Sequence, residues 1–476
     1  MKFKSLFGAL AVVLLCNVAH AQLHISETRA LYLRQKDGST SDPERAQLIP
    51  PLTWGQDHEW RLLLNGDTRY RAENRVNFDG NREIPDNDRV AFWRSRLSAD
   101  LTYRRRIRIF LEYLDAQQLG ANMQYNQEDK RDFHQYFLEI ADPDNTPWSL
   151  RLGKQEIVLG KEKRLVNASN FNNIRRAFYG GRAMYRTKDL DLDLFVASPS
   201  TNSIIDDGIV NGTAAARPTH NRYFYGAYGT FKRYQPTQLE LYFLGLSDRD
   251  NHRTYPNKQV DEEGNFSTTD RYTVGAELYG PLRKNECGEL SYVLGGAYQF
   301  GYNGQDDINA WMAHGDIGYQ WNRKWKPRLD LEGTIASGDN VNGDYDTNSF
   351  NPLFGATDLI YGRIPFFRLQ NIRSVGLVGS IDPTSKLKLR AAYHYYWLDS
   401  QTDAWYDSNG SSRGRDTTGK SGRDVGQMVD VTAFYKYSKY MSWEGGAAYF
   451  LPGNFSGNVG KPDQSAYLFL QTTLSF

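Results

Sequence analysis

From Trp60 to the C-terminus, apolar residues recur at every second position rather than every third or fourth. Trp60, Leu62, Leu64, Gly66, Thr68 and Tyr70 alternate with Arg61, Leu63, Asn65, Asp67, Arg69 and Arg71, and Trp93 to Tyr103 repeats the pattern against Arg94, Arg96, Ser98 and Asp100. A period of two belongs to β-strands, whose successive side chains point to opposite faces. Both runs begin and end their apolar face with an aromatic residue, and Trp311 to Trp321 does so again. Strands crossing a bilayer show this placement, because Trp and Tyr settle at the two headgroup levels.

Comparable runs lie near 106–115, 133–141, 148–155, 175–187, 190–197, 222–232, 237–246, 270–279 and 289–300, then 308–321, 327–336, 371–382, 386–398, 425–437, 440–450 and 464–476. With the first two they make 18, an even number as bacterial barrels require. Short links at 104–105, 141–147, 187–189, 233–236, 322–326, 382–385 and 438–439, with 280–288 somewhat longer, alternate with long ones at 73–90, 116–132, 156–174, 198–221, 247–269, 337–370 and 399–424. The pattern predicts an all-β fold: a transmembrane antiparallel β-barrel of about 18 strands, with short periplasmic turns and long extracellular loops. A closed barrel also pairs every backbone donor and acceptor in lipid without leaving an edge.

The N-terminus sets the destination. Lys2 and Lys4 precede the apolar run Leu6 to Leu15, and Ala19-His20-Ala21 supplies small residues for cleavage. Residues 1–21 therefore read as a secretory signal peptide. Leu14 and Leu15 stand where a lipoprotein site at Cys16 would need small residues. Residues 22–59 lack periodicity, contain Pro43, Pro50 and Pro51, and read as an extended periplasmic lead-in; 60–476 form the barrel as one domain. Past the signal no apolar run reaches the roughly 18 residues of a spanning helix. Beyond it Cys287 is the lone cysteine, which excludes an internal disulfide framework. The expected location is the outer membrane of a Gram-negative cell, with lipid as the first partner. Leu468, Leu470, Leu474 and the terminal Phe476 share one face of the last strand, similar to the signal read by the barrel assembly machinery.

Net charge is only +1, which argues against nucleic acid as a partner. Any preference for anions must come from local placement, and the polar parity of the first six strands is rich in arginine. Arg61, Arg69, Arg71, Arg94, Arg96, Arg108, Arg151, Arg176, Arg182 and Arg186 all fall there. Arg151 to Lys188 alone holds ten Lys or Arg against Glu156 and Glu162. One reading is an electropositive wall that draws an anionic solute, a saccharide or a smaller anion, by its field and by bidentate contacts. The other is that these arginines pair with Asp67, Glu73, Asp100, Glu112 and Glu139 and stiffen the lumen. Later strands carry carboxylates instead, among them Asp191, Asp193, Glu240, Glu277, Asp330, Glu332, Asp430 and Glu444. Lys161, Lys163 and Arg164 form a loop cluster suited to a gate, or to a solvated charge run.

Three further patterns are weighed by their context. Gly414 to Ser421 matches a phosphate-binding G-x-x-x-x-G-K-S in letters, but that motif needs a strand before it and a helix after it, and here a strand follows. Asn340, Asn342, Asp344 and Asp346 recur at alternate positions and make a weak Ca²⁺ candidate outside the EF-hand order. His314 and Asp316 lie on one strand face without a placed serine, so a hydrogen-bonded lumen histidine is the expectation. No G-x-S-x-G, H-E-x-x-H or cysteine pair occurs, so neither an enzyme nor a cofactor is expected.

Several motifs together resemble the alginate export porin family of Gram-negative outer membranes. They are Arg151-x-Gly153-x-Gln155, Gly160, Arg164-Leu-Val166, and Arg176-Ala-Phe178 with Gly180-Gly181-Arg182. Ser337-Gly338-Asp339, Phe350-Asn-Pro-Leu-Phe354, Tyr393-His394 to Trp397-Leu398, and Gly426-Gln427 with Asp430 add to the likeness, which runs from about residue 60 to the end. The resemblance implies an 18-stranded barrel with an electropositive lumen narrowed by loops, and a polyuronate cargo delivered by a periplasmic scaffold protein. It implies lumen or constriction roles for Arg151, Gln155, Arg176 and Arg182. Tyr179 stands where the family pattern has an acidic residue. An uptake porin for small nutrients and a non-transporting adhesin are the alternatives to an anion channel.

Overall fold

The computed structural model describes residues 49–83, 86–120, 127–200, 221–249, 268–341 and 343–476. The expected signal peptide, the lead-in as far as residue 48, and Asn342 lie outside the described residues. Eighteen long antiparallel strands close on themselves. They are β1 Trp60–Val76, β2 Asn87–Tyr103, β3 Ile107–Leu119, β4 Asp129–Ala141, β5 Trp148–Gln155, β6 Phe178–Arg186, β7 Leu190–Pro199, β8 Arg222–Phe231 and β9 Gln238–Asp248. Then follow β10 Thr269–Asn285, β11 Gly288–Asn303, β12 Asp306–Trp321, β13 Arg328–Ala336, β14 Ile372–Thr384, β15 Leu387–Trp397, β16 Asp424–Lys436, β17 Met441–Pro452 and β18 Ser465–Ser475. Each strand pairs with its neighbours in the chain, and β18 returns to β1 in a register running from Asp67↔Ser475 to Val76↔Ala466.

All the expected strands are present, with shifted ends. β1 runs on to Val76 and β2 starts at Asn87, so their link is shorter than the 73–90 expected. β10 extends to Asn285 through an irregularity between Pro281 and Arg283, which leaves Glu286 and Cys287 as a tight turn. Gly304 and Gln305 make the one short link on the loop side among those described. The last part of the lead-in folds back: Leu52–Trp54 pairs with Trp60 to Leu62, and Trp54 stacks on Trp60 at 6.0 Å.

The two faces divide as the alternation requires. Leu97, Ile109, Leu111, Leu294, Leu331, Val431, Leu468 and Leu470 point outward and stay exposed. On a water-soluble protein so continuous an apolar belt would cause association; around a barrel it meets lipid. The apolar core instead fills the lumen. Phe178, Phe224, Phe354, Phe366, Phe367, Tyr396 and Phe450 are buried there. Phe354, Phe366 and Phe367 come from the link 337–371, and the link 156–177 adds Ile157, Leu159, Leu165 and Val166, so both links fold inward instead of standing in solvent.

Candidate pore and its inward loops

The arginines of β1, β2, β3, β5 and β6 point into the lumen, and most meet carboxylates on the same wall. Arg71 Nε lies 2.7 Å from Glu73, Arg108 Nε 2.9 Å from Asp100, and Arg151 2.6 Å from Glu139. Arg96 pairs with Asp67 and sits 3.7 Å from Glu112. Arg182 and Arg186 converge on Asp193 of β7 at 2.8 and 2.5 Å. All five carboxylates of the pairing alternative are thus engaged. Arg61, near the turn end, is only half-buried.

Arg69 and Arg94 are different. Both are buried, and both donate to main-chain carbonyls of the link between β5 and β6. Arg69 reaches Asn170 O at 2.8 Å and Asn172 O at 2.9 Å; Arg94 reaches the same two at 3.1 and 3.0 Å. Arg71 adds a bond to the carbonyl of Phe171 and lies 4.1 Å from its ring centroid. The Nε–H groups of Arg69 and Arg94 have no hydrogen-bond partner among the described residues. Three successive carbonyl oxygens of the link therefore stand before three guanidinium groups of the wall.

Asn173 pins this segment. It is fully buried, and its Nδ2 donates to the carbonyls of Trp93, Gln117 and Gln127 at 3.3, 3.1 and 3.0 Å. At the start of the same link, Glu156 accepts from Arg175 and lies 2.9 Å from His134 Nε2. Burial pushes the Glu156 carboxyl up, but Arg175 and the His134 hydrogen bond outweigh it and bring it to about 2.

The links 156–177 and 337–371 are stitched together inside the barrel. Asn167 N donates to Phe354 O at 2.8 Å, Phe354 N to Leu165 O at 2.9 Å, and Ala356 N to Lys163 O at 3.0 Å. Arg176 ties both, donating to Asn167 O at 2.9 Å and to the carbonyl of Phe354. A Cβ on Gly355 would sit 1.8 Å from Arg164 O, so this crossing admits glycine alone. Gly153, with φ +135°, lets β5 pass within reach of Tyr136 O and turns Lys154 and Gln155 inward. Gln155 Nε2 then donates to Gly180 O at 3.2 Å. A cavity of about 310 Å³ remains between the links and the wall, lined in part by Arg71, Arg75, Lys163 and Arg363 and by Glu73, Glu162 and Asp358.

The loop cluster divides. Arg164 turns inward, 3.3 Å from Tyr361 Oη and 3.0 Å from Glu162, whereas Lys161 and Lys163 stay exposed. His314 Nε2 lies 3.2 Å from Glu277 on β10, two strands away. Gly295 stands between them in register and, lacking a side chain, leaves the gap. Asp316 is not its partner. In the 414–421 segment Asp416 caps Thr418 N and Ser421 N at 2.9 and 2.7 Å, and β16 rather than a helix follows. Asn340 and Asp344 are exposed, Asp346 begins a short pairing with Asp307, and no three-residue group of His, Cys, Asp or Glu ligands forms there among the described residues. Such a group does occur at Glu112, His134 and Glu156, which the alternation alone did not reveal. Arg175 and Arg96 flank its two carboxylates, so little negative charge is left to hold a cation.

A closed 18-stranded barrel with an apolar outer belt and a polar lumen crossed by inward links is the architecture of an outer-membrane channel. The chain belongs to the Alginate export family, whose model matches residues 61–470. Solved Pseudomonas aeruginosa barrels share the fold. OccK5 (OpdH) is 13% identical with a TM-score of 0.57 over 87% of this chain and 98% of its own. OccD3 (OpdP) is 10% identical at 0.57 over 93% and 98%, and OpdK with vanillate 12% at 0.56 over 87% and 99%. No curated protein matches the chain. Fold and family are those of outer-membrane channels, which are not enzymes.

Proposed function

We propose that this barrel passes a carboxylate-bearing solute by facilitated diffusion along the arginine wall. One observation carries the reading: Arg69 and Arg94 are held by peptide carbonyls and not by carboxylates. A carbonyl dipole satisfies geometry without cancelling charge, so the wall keeps positive potential where the links narrow the lumen. The carbonyls of Asn170, Phe171 and Asn172 occupy positions that carboxylate oxygens would take, and an entering anion would exchange with them.

Gln155, Arg151, Arg176, Arg182 and Arg186 contribute as positioning groups, and Arg61 with Arg71 and Arg96 completes the wall. An alginate-like polyuronate is the cargo favoured by family membership; a small organic acid fits the same chemistry, as the vanillate held by OpdK illustrates for that fold. A periplasmic scaffold protein and the barrel assembly machinery are the partners this reading brings, with residues 1–21 as the signal and 22–59 as the lead-in. The test is the zero-current potential of the reconstituted barrel in a KCl gradient. The wild type is expected to favour chloride, and Arg69→Gln with Arg94→Gln to lower the anion-to-cation permeability ratio roughly fivefold. A cation-selective wild type, or a ratio untouched by the pair, contradicts the reading.

A further inference from the structure

A second concave site lies at the other end of the lumen. A cavity of about 1060 Å³ opens at the turn end of β12 to β18, lined by seven Lys or Arg and by two carboxylates, Asp382 and Glu444. Arg363 already occupies Glu444. Lys388 shares its parity on β15 with the buried Ala392 and His394, and Lys436 shares its parity on β16 with the buried Asp430 and Thr432. Both therefore face the pore mouth rather than lipid. Lys326 and Lys386 lie in the turns just before β13 and β15 and line the same space.

These cations differ from the arginine wall in kind as well as place. They are exposed, and Lys326, Lys386 and Lys388 form no ion pair among the described residues. Lys386 Nζ makes one contact, 3.1 Å to the carbonyl of Tyr437. Lysine is a compact, hydrated charge on a flexible stem, suited to holding an anion loosely; arginine forks fix carboxylate geometry. Several lysines converging on one open space suit a ligand carrying several separated charges, because each contact is weak alone and they add when joined.

We infer that this turn-side mouth is a second anion site, which captures a soluble chain of carboxylates such as an acidic oligosaccharide at the lumen entrance. It extends the anion-channel reading to new residues, yet it can stand or fall separately. The inward parity of Lys388 and Lys436 favours a soluble ligand over lipid phosphate.

The experiment measures binding of a fluorescently labelled tetragalacturonate to the full barrel in zwitterionic detergent at low and high salt. Replacing Lys326, Lys386, Lys388 and Lys436 by Gln is expected to weaken binding about tenfold at low salt, with most of the difference gone at 1 M, where screening acts within about 3 Å. The matching Lys→Arg set should retain affinity, which separates charge loss from misfolding. The wall is read by a different measurement, the zero-current potential of Arg69→Gln with Arg94→Gln, so an unchanged permeability ratio sinks the wall alone and unchanged binding in the Lys→Gln set sinks the mouth alone. Equal affinity in wild type and Gln set, or no binding to either, overturns the inference. Loss of binding in nanodiscs of anionic lipid, with binding kept in neutral ones, overturns it too and assigns the lysines to headgroups.

Discussion

The lumen has two walls that handle charge in opposite ways. On β1 to β6 the inward charges are guanidinium groups, neutralised by carboxylates or faced by loop carbonyls. On β9 to β13 carboxylates predominate, with Arg271 and Arg328 as exceptions, and neutral donors satisfy several of them. Glu240 accepts from Tyr228 at 2.6 Å, from Tyr279 at 3.1 Å and from Lys161 N at 3.2 Å, while Glu277 faces His314. Where loop carbonyls rather than carboxylates hold a guanidinium group, as at Arg69 and Arg94, its charge is left uncancelled. The inward link serves both sides, with Arg164 turned toward Tyr361 and the acidic wall and the segment Asn170 to Asn173 laid against the arginines. A field therefore runs across the lumen, and the link sits within it.

Removing the separator should have the largest effect. Replacing residues 161–172 by a short Gly/Ser connection is expected to raise single-channel conductance roughly threefold or more, because it clears the arginine wall. Unchanged conductance would mean that the links do not narrow the path. Next in size is the Arg176 tie. Arg176→Ala removes two charge-assisted hydrogen bonds to separate links and should cost about 2 kcal/mol, seen as a roughly 30-fold rise in the open-to-closed ratio of current records. Quiet records from that variant would locate the hinge elsewhere.

Weakening the opposite wall should move selectivity the other way. Glu240→Gln with Glu277→Gln is expected to raise the anion-to-cation permeability ratio about twofold, less than the arginine pair lowers it. A shift of the same sign as that of the arginine pair would show that the walls do not act against each other. The smallest effect is that of acid. Glu156 has its folded value near 2, below the ordinary 4.5, so its charge stabilises the link above that ordinary value and the contribution fades as pH falls through about 2. Between pH 5 and 3 gating noise should rise, by less than about twofold, and Glu156→Gln should be noisy at both pH values.

The barrel was legible because one face of every strand must suit lipid, and a period of two records that demand directly. Strand ends were less so, since β10 continues past Tyr279 through turn residues that carry no apolar signal. Parity also placed Arg69, Arg94, Arg151 and Arg182 inward. It could not say what they meet: Arg69 and Asn170 lie 101 positions apart, and the alternation of a wall says nothing about the path of a link. One clue was present. Phe350, Phe354, Ile364, Phe366 and Phe367 are too apolar for a solvated outer loop, and all five are buried in the lumen. The separation of Arg164 from Lys161 and Lys163 depended on Tyr361, far away in the chain.

Flux of a labelled uronate oligosaccharide into proteoliposomes, compared with a neutral oligosaccharide of the same length, tests the arginine wall most directly. The account predicts entry of the charged chain at least about tenfold faster at low salt, falling toward equality in Arg69→Gln with Arg94→Gln. Equal rates for the two sugars in the wild-type barrel would contradict it.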